Sequence, residues 1–410
     1  MNSMTWGLCA PATVPSIRRT RTLQLNEIAA RFNQLAVPGL GGVWFARQIV
    51  MALQGVWIAR QLNNGTSNIE AANAIEALSC WKGYVEGKQR DARLRGFNKI
   101  RKLHAKDLTF NAARKRTFYV TIPMRMGTVE ALPALGFVTP QRSFNAFDCT
   151  ATGEQLLRLD KGQQALFTRW IAAPDSIATR AVQPSYEALS SDACQLIRSQ
   201  LQHAGSETDS QRRSAALAWM DRLRQSRPAR IRWEKRPAEI TVEHWHDLQA
   251  GAYFFATRAA ALDLLERLEV EMAQHRSGVC HDLRSPLSPP LLDAIQHLRQ
   301  RAQAFLLLQH PDAAARQFCH ECDQPPTAVL RALVKRDGHI LKLNAEQIEP
   351  GNAFRGNSAA DTNQDEDAVE PPSAQDFWPE HLSRRMHNLF LLNLDLHGEL
   401  STWLDKGKVA

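Results

Sequence analysis

Four stretches repeat apolar residues at three- and four-residue steps, the spacing that lines one face of an α-helix. They are Ser185–Gln202, Arg212–Gln225, Ala259–Gln274 and Leu291–Gln309, and helical patterns of this kind dominate from Gln163 to about Lys335. Earlier in the chain, Ser67 or Asn68 caps a helix whose stripe is Ile69, Ala72, Ile75, Ala77 and Leu78, after a turn at Asn64-Gly65. Arg116 to Pro123 is β-rich and ends at a proline. The proline-bearing Arg227–Val242 reads as extended, and Arg284–Ala294 as a proline-rich joint whose end starts a helix.

The most apolar run, Leu35 to Ala59, is about long enough to span a bilayer. Arg47 and Gln48 lie near its middle, where an arginine costs roughly 2.5–3.5 kcal/mol on insertion scales. Pro38 and the glycines at 39, 41 and 42 also oppose one continuous helix. The run therefore reads as a turn and then a buried helix from about Val43 to Gln61, with no membrane span. Near the other end, Gly351–Ser373 is polar, acidic and poor in large apolar groups, the composition of a disordered or mobile linker. Beyond it Phe390, Leu391, Leu394, Leu400 and Trp403 form a stripe suited to docking on the body.

The stretch Pro133–Leu159 has its own grammar. Thr128 to Leu135 reads as a short helix ended by Gly136. Phe137–Thr139 and Phe144–Asp148 read as a small hairpin whose tip, Pro140–Ser143, carries Arg142. Thr150 then caps a helix through Leu156 and Leu157. This order resembles the second half of the winged-helix DNA-binding domains of bacterial regulators. The resemblance implies a recognition helix at Thr128–Leu135 and a wing at the hairpin, with Arg125 and Arg142 near the backbone of DNA. The sequence departs from that pattern at Glu130, which repels phosphate, and at Pro133, which disrupts an established helix interior. The fold class that follows is mainly α: an N-terminal winged-helix-like α+β domain, residues 1–162, then a helical domain, 163–350. An acidic flexible linker, 351–376, and a C-terminal docking helix, 377–410, complete it.

Length and charge narrow the function classes. The chain has 410 residues, 44% hydrophobic and 22% charged, within the range of globular proteins of two or three domains. Its formal net charge of +8 favours an anionic partner, most often nucleic acid. The excess is concentrated between Lys88 and Arg116. There Lys88, Arg90, Arg93, Arg95, Lys99, Arg101, Lys102, Lys106, Arg114, Lys115 and Arg116 are offset only by Asp91 and Asp107. The competing reading is a solvated surface. A second patch sets Arg227, Arg230, Arg232, Lys235 and Arg236 around Trp233, which suits single-strand stacking or an amphipathic edge with a buried Trp.

Signals for chemistry are sparse. Cys319-His320-Glu321-Cys322 has the spacing of a zinc half-site, but the nearest further pair, Cys280-His281, is adjacent and not spaced. Two ordinary thiols are the alternative, and seven cysteines without an apolar leader imply a cytoplasmic setting. His104–Asn111 approaches a phospholipase-D-like pattern with Asn111 where Asp belongs, and no second copy occurs. Val85–Lys88 offers a nuclease-like Glu-x-Lys without an upstream Asp, and His244 and His246 stand two apart. No phosphate-binding loop, nucleophile elbow or H-E-x-x-H is present. The expectation is a non-enzymatic DNA-binding or DNA-associated subunit of a bacterial multiprotein system (regulation, mobile element or antiphage defence), with other protein subunits as partners. A scaffold subunit, or a nuclease with a scattered site, is the alternative.

Overall fold

The long apolar run becomes a helix wrapped by protein. In the computed structural model, which describes residues 21–87, 91–160, 163–177, 182–226, 230–274, 280–356 and 377–406, helix α1 is Asn26–Ala36 and α2 is Ala46–Leu62. Helix α3 is Asn68–Val85, and four single turns follow: α4 (Phe97–Ile100), α5 (Phe110–Ala113), α6 (Arg125–Thr128) and α7 (Ala131–Ala134). Then come α8 (Ala151–Leu159), α9 (Gln163–Ala172), α10 (Ser191–His203), α11 (Glu207–Gln225) and α12 (Val242–Gln274). Strand β1 (His281–Asp282) precedes α13 (Pro289–Leu307), α14 (Ala313–Cys322) and α15 (Pro326–Asp337). Strands β2 (Leu341–Asn344) and β3 (Gln347–Pro350) lead on to α16 (Arg384–Leu396) and α17 (Leu400–Lys406). The protein is thus mainly α. Among the described residues no helix is long and apolar enough to cross a membrane. Residues 1–20, Lys88, Arg90, Arg227 and the greater part of the acidic stretch, 357–376, lie outside the described residues.

The described residues divide into two compact units, with boundaries at Ile28/Ala29 and Phe255/Ala256; residues 280–356 belong to the smaller unit and 377–406 to the larger. The expected division at 162 does not coincide with these, because packing is long-range: helices from both sides of 162 share one core. Helix α12 contributes its N-terminal part to the larger unit and its C-terminal part to the smaller.

In the larger unit, α2 is buried along almost its whole length. It can be, because α2 and α3 approach closely. A Cβ on Gly55 would lie 2.5 Å from the Ala72 Cα and 2.6 Å from its backbone N, so only glycine fits there. Arg47, the residue that argued against a membrane span, is 4% exposed and bonded to Asp160 at 3.1 Å. Its guanidinium also donates to Gln183 and to the Glu187 and Ala188 carbonyls. Ser67 caps α3 as expected, accepting from the Glu70 amide while the Glu70 carboxylate accepts from the Ser67 amide. The docking stripe holds as well: Phe390, Leu391, Leu394, Leu400 and Trp403 are all buried in the same core as α2 and α3.

Three local expectations fail, each for a physical reason. Arg116–Pro123 forms turns and bends and no strand, because Tyr119 and Val120 bury individually and no strand lies beside them among the described residues. Phe144–Ala146 is a 3-10 turn, so the expected hairpin is reduced to one antiparallel bridge, Val138 to Cys149, closed by the Thr139 N–H to Asp148 carbonyl bond of 2.9 Å and the Thr150 N–H to Phe137 carbonyl bond of 3.0 Å. Thr128–Leu135 is split between α6 and α7. Pro133 has no N–H to offer the Val129 carbonyl, and the helix breaks at Val129-Glu130. Thr150 does cap α8, accepting from the Gly153 amide at 3.1 Å.

The smaller unit sets α13, α14 and α15 with a three-stranded antiparallel sheet, order β1-β3-β2. Its buried Glu269 accepts from Arg21 at 2.7 Å and from the Arg355 and Gly356 amides. Gly351 and Ala353 bond to Ile340 and His339, so the start of the presumed linker is built into the sheet edge.

The α2–α3 approach sets a sign test. Gly55→Ala raises intrinsic helix propensity by about 1 kcal/mol but places a methyl inside backbone contact distance. We expect a net loss of about 1–3 kcal/mol in denaturant unfolding; a gain in stability would show that the helices are not so close.

Candidate nucleic-acid interface

The basic segment is carried by one edge of α3. Glu70, Asn73 and Glu76 recur at three-residue steps and Trp81 and Tyr84 follow with the same step, so they form a second stripe beside the apolar one. Each holds a different part of the segment. Glu70 pairs with Arg114 at 3.6 Å. Asn73 accepts from the Arg125 Nε at 2.6 Å. Glu76 accepts from the Tyr119 hydroxyl at 2.5 Å and from the Arg125 backbone N–H at 2.6 Å. The Trp81 ring nitrogen donates to the Leu103 carbonyl, and Tyr84 meets Phe97 edge-on at 5.8 Å.

Glu76 is the electrostatic centre of this arrangement. Burial pushes its carboxyl above the usual carboxylate range, while the Tyr119 hydrogen bond and the Arg125 and Arg95 charges oppose that rise. Burial likewise raises the Tyr119 hydroxyl far above its ordinary value and lowers Arg125. Neither Asn73 nor Glu76 was singled out from the sequence. The available signal was two polar side chains inside the most apolar stretch of α3.

The ten nucleic-acid candidates separate into framework and surface. Arg93 is 3% exposed, bonded to both Asp91 oxygens at 2.9 and 2.7 Å and to the Ser401 hydroxyl. Arg125 is buried and lies over the Phe144 ring at 5.6 Å. Against the expectation that they bind phosphate, both are structural cations, because a buried guanidinium already holding acceptors is not offered to a polyanion. Arg95 is half-buried and donates to the Ile122 carbonyl, and Arg114 sits between Glu70 and the Phe110 ring. Lys99 donates to the Thr117 carbonyl at 3.0 Å.

That Lys99 bond joins two turns. One is 97–102, built on α4; the other is 115–117, which ends at Thr117 in a left-handed conformation (φ 68°) that a β-branched residue rarely adopts. Arg101, Lys102, Lys115 and Arg116 are exposed on the joined turns, and Lys106 is exposed on the next. None of the five pairs with a carboxylate among the described residues. Arg142 is exposed on the separate loop Pro140–Ser143. The presumed recognition helix is differently placed. Ala131, Leu132 and Leu135 are fully buried, and Glu130 is ion-paired with Arg385 of α16.

Much of the other candidate chemistry resolves into structure. Asp107 caps its own turn by accepting from the His104 amide, and Asn111 donates to Asp175. His244 is 1% exposed with Nε2 2.9 Å from the Ala36 carbonyl, and burial lowers its pKa. Trp233 packs on Trp245 at 4.9 Å, tilted by 54°, so the ring of the second basic patch already has an aromatic partner within the protein. Cys319 and Cys322 are fully buried on α14. Burial pushes Cys319 up to about 12 and Cys322 well above the ordinary thiol range. Among the described residues, no group of three or more potential ligands includes either of them. This does not fit zinc, which needs thiolates and further donors.

No protein-family model, curated protein or solved structure matches the chain.

Two measurements check these assignments. In the folded protein, Cys319 and Cys322 stay unalkylated while exposed Cys280 reacts, as read by mass spectrometry, and both label after denaturation. Alkylation of either at the rate of Cys280 would refute the buried-thiol assignment. A carboxyl raised by folding takes up a proton above pH 4.5, so its contribution to stability falls as pH rises through that window. Glu76→Gln, which mimics the protonated form, should therefore flatten this part of the urea-midpoint profile. An unchanged wild-type slope would remove Glu76 as its source.

Proposed function

We propose that this protein is a non-enzymatic, nucleic-acid-associated subunit that holds a polyanion through sequence-independent phosphate contacts. The observation that carries this reading is the set of exposed cations without carboxylate partners among the described residues on the joined turns: Arg101, Lys102, Lys115 and Arg116, with Lys106 beside them. Cations gathered on a fixed surface displace the condensed counterions of a nucleic acid, which is the main source of non-specific affinity.

The burial of Ala131, Leu132 and Leu135 and the pairing of Glu130 favour backbone contact over base reading by that segment. The wing-like loop then contributes Arg142 as an accessory cation. DNA is the expected partner, and the sequence-independent mode suits a subunit that acts within a larger assembly.

Replacing Arg101, Lys102, Lys115 and Arg116 together with alanine tests this reading. Retention on DNA should weaken, and the slope of log affinity against log salt should flatten by about 0.9 for each phosphate no longer neutralised. Arg93→Ala, in contrast, should lower stability first, because it removes a buried guanidinium that bonds to Asp91 and Ser401. Wild-type affinity and salt slope in the quadruple variant would overturn the proposed surface.

A further inference from the structure

Phe97 is an apolar ring left 41% exposed in the middle of the cationic surface. Single exposed apolar residues are ordinary, so exposure alone says little. The surroundings say more. The Arg101 guanidinium carbon lies 5.5 Å from the Phe97 ring centroid, and Tyr84 supports the ring edge-on from α3. The ring is also fixed in place. Gly96, just before it, is left-handed (φ 75°), and a Cβ there would lie 2.6 Å from the Tyr119 carbonyl. Ile100, on the other side of the same turn, is 2% exposed. The turn is therefore anchored at both ends while its first side chain stays in solvent.

We infer that Phe97 and Arg101 form a stacking platform for an unpaired base, so that the surface takes single-stranded nucleic acid in preference to duplex. This rests on the polyanion reading above and adds the strand state of the ligand. In a duplex the faces of each base are covered by its neighbours, and only groove edges and phosphates remain accessible. A ring at the surface gains nothing from such a ligand. An unpaired base offers its face to the ring and to the guanidinium plane, while Lys102, Lys115 and Arg116 meet the flanking phosphates. The platform reads no hydrogen-bond pattern, so it tolerates any base.

Fluorescence anisotropy with a labelled single strand and its duplex tests the assignment at one salt concentration. Wild type should bind the single strand more tightly. Phe97→Leu, which keeps an apolar side chain at an exposed position, should lose about 5- to 150-fold on the single strand, with duplex affinity and both salt slopes unchanged. Phe97→Trp should keep single-strand binding, and its emission should be quenched by the single strand alone. Lys102→Ala with Lys115→Ala should weaken both ligands and flatten both slopes. Equal binding of the two ligands, an unaffected Phe97→Leu, or equal loss on both overturns the platform while leaving the polyanion reading standing. Failure of the wild type to bind either ligand overturns both.

Discussion

The backbone contact between Gly55 and Ala72 sets the geometry from which the rest of the larger unit follows. Two helices this close leave no room for side chains at the crossing and exclude water along their length. Helix α2 can then be apolar on nearly every face without meeting lipid. Helix α3, held by that crossing, has one free edge. Its stripe from Glu70 to Tyr84 supports more than thirty residues of irregular chain that have no sheet or long helix of their own. The basic surface is ordered because α3 is.

The same framework decides which cations are available. Arg93 and Arg125 look equivalent in the sequence to Arg101 and Arg116, and Arg47 stands alone in an apolar run. In the structure Arg47, Arg93 and Arg125 are each buried with acceptors: Asp160, Asp91, and Asn73 respectively. Removing water from a guanidinium is tolerated only when such partners replace it. A net charge of +8 therefore overstates the framework cations as a binding resource and understates the local density on the two joined turns.

Features governed by near neighbours were legible in the sequence. The cap at Ser67, the cap at Thr150, the burial of the long apolar helix and the docking stripe of α16 and α17 all follow from spacing and residue type within a few turns. Features governed by distant partners were not. Arg116–Pro123 has β propensity, yet its conformation answers to Glu76, 43 residues away from Tyr119. Arg93 reads as one charge in a basic run, yet its partners include Ser401. Of the candidate surface, Arg101, Lys102, Lys115 and Arg116 stand out in the sequence as clustered charge and Arg142 through the wing resemblance, and all five are exposed, whereas the supporting Asn73 and Glu76 are hidden by the apolar stripe they interrupt. The pair Cys319 and Cys322 shows the complementary limit: spacing on a helix says nothing about whether a third donor arrives.

The Ala46 N–H at the start of α2 is capped by the Asp395 carboxylate, 349 residues further along the chain. On the ribosome, α2 is made long before its cap exists. At about 5–20 residues per second the wait is roughly 20–70 s. During that interval the most apolar helix of the protein emerges without the segment that closes over it, and nascent chains are then substrates for chaperones that recognise exposed apolar sequence. Completion of this unit therefore waits for synthesis of α16.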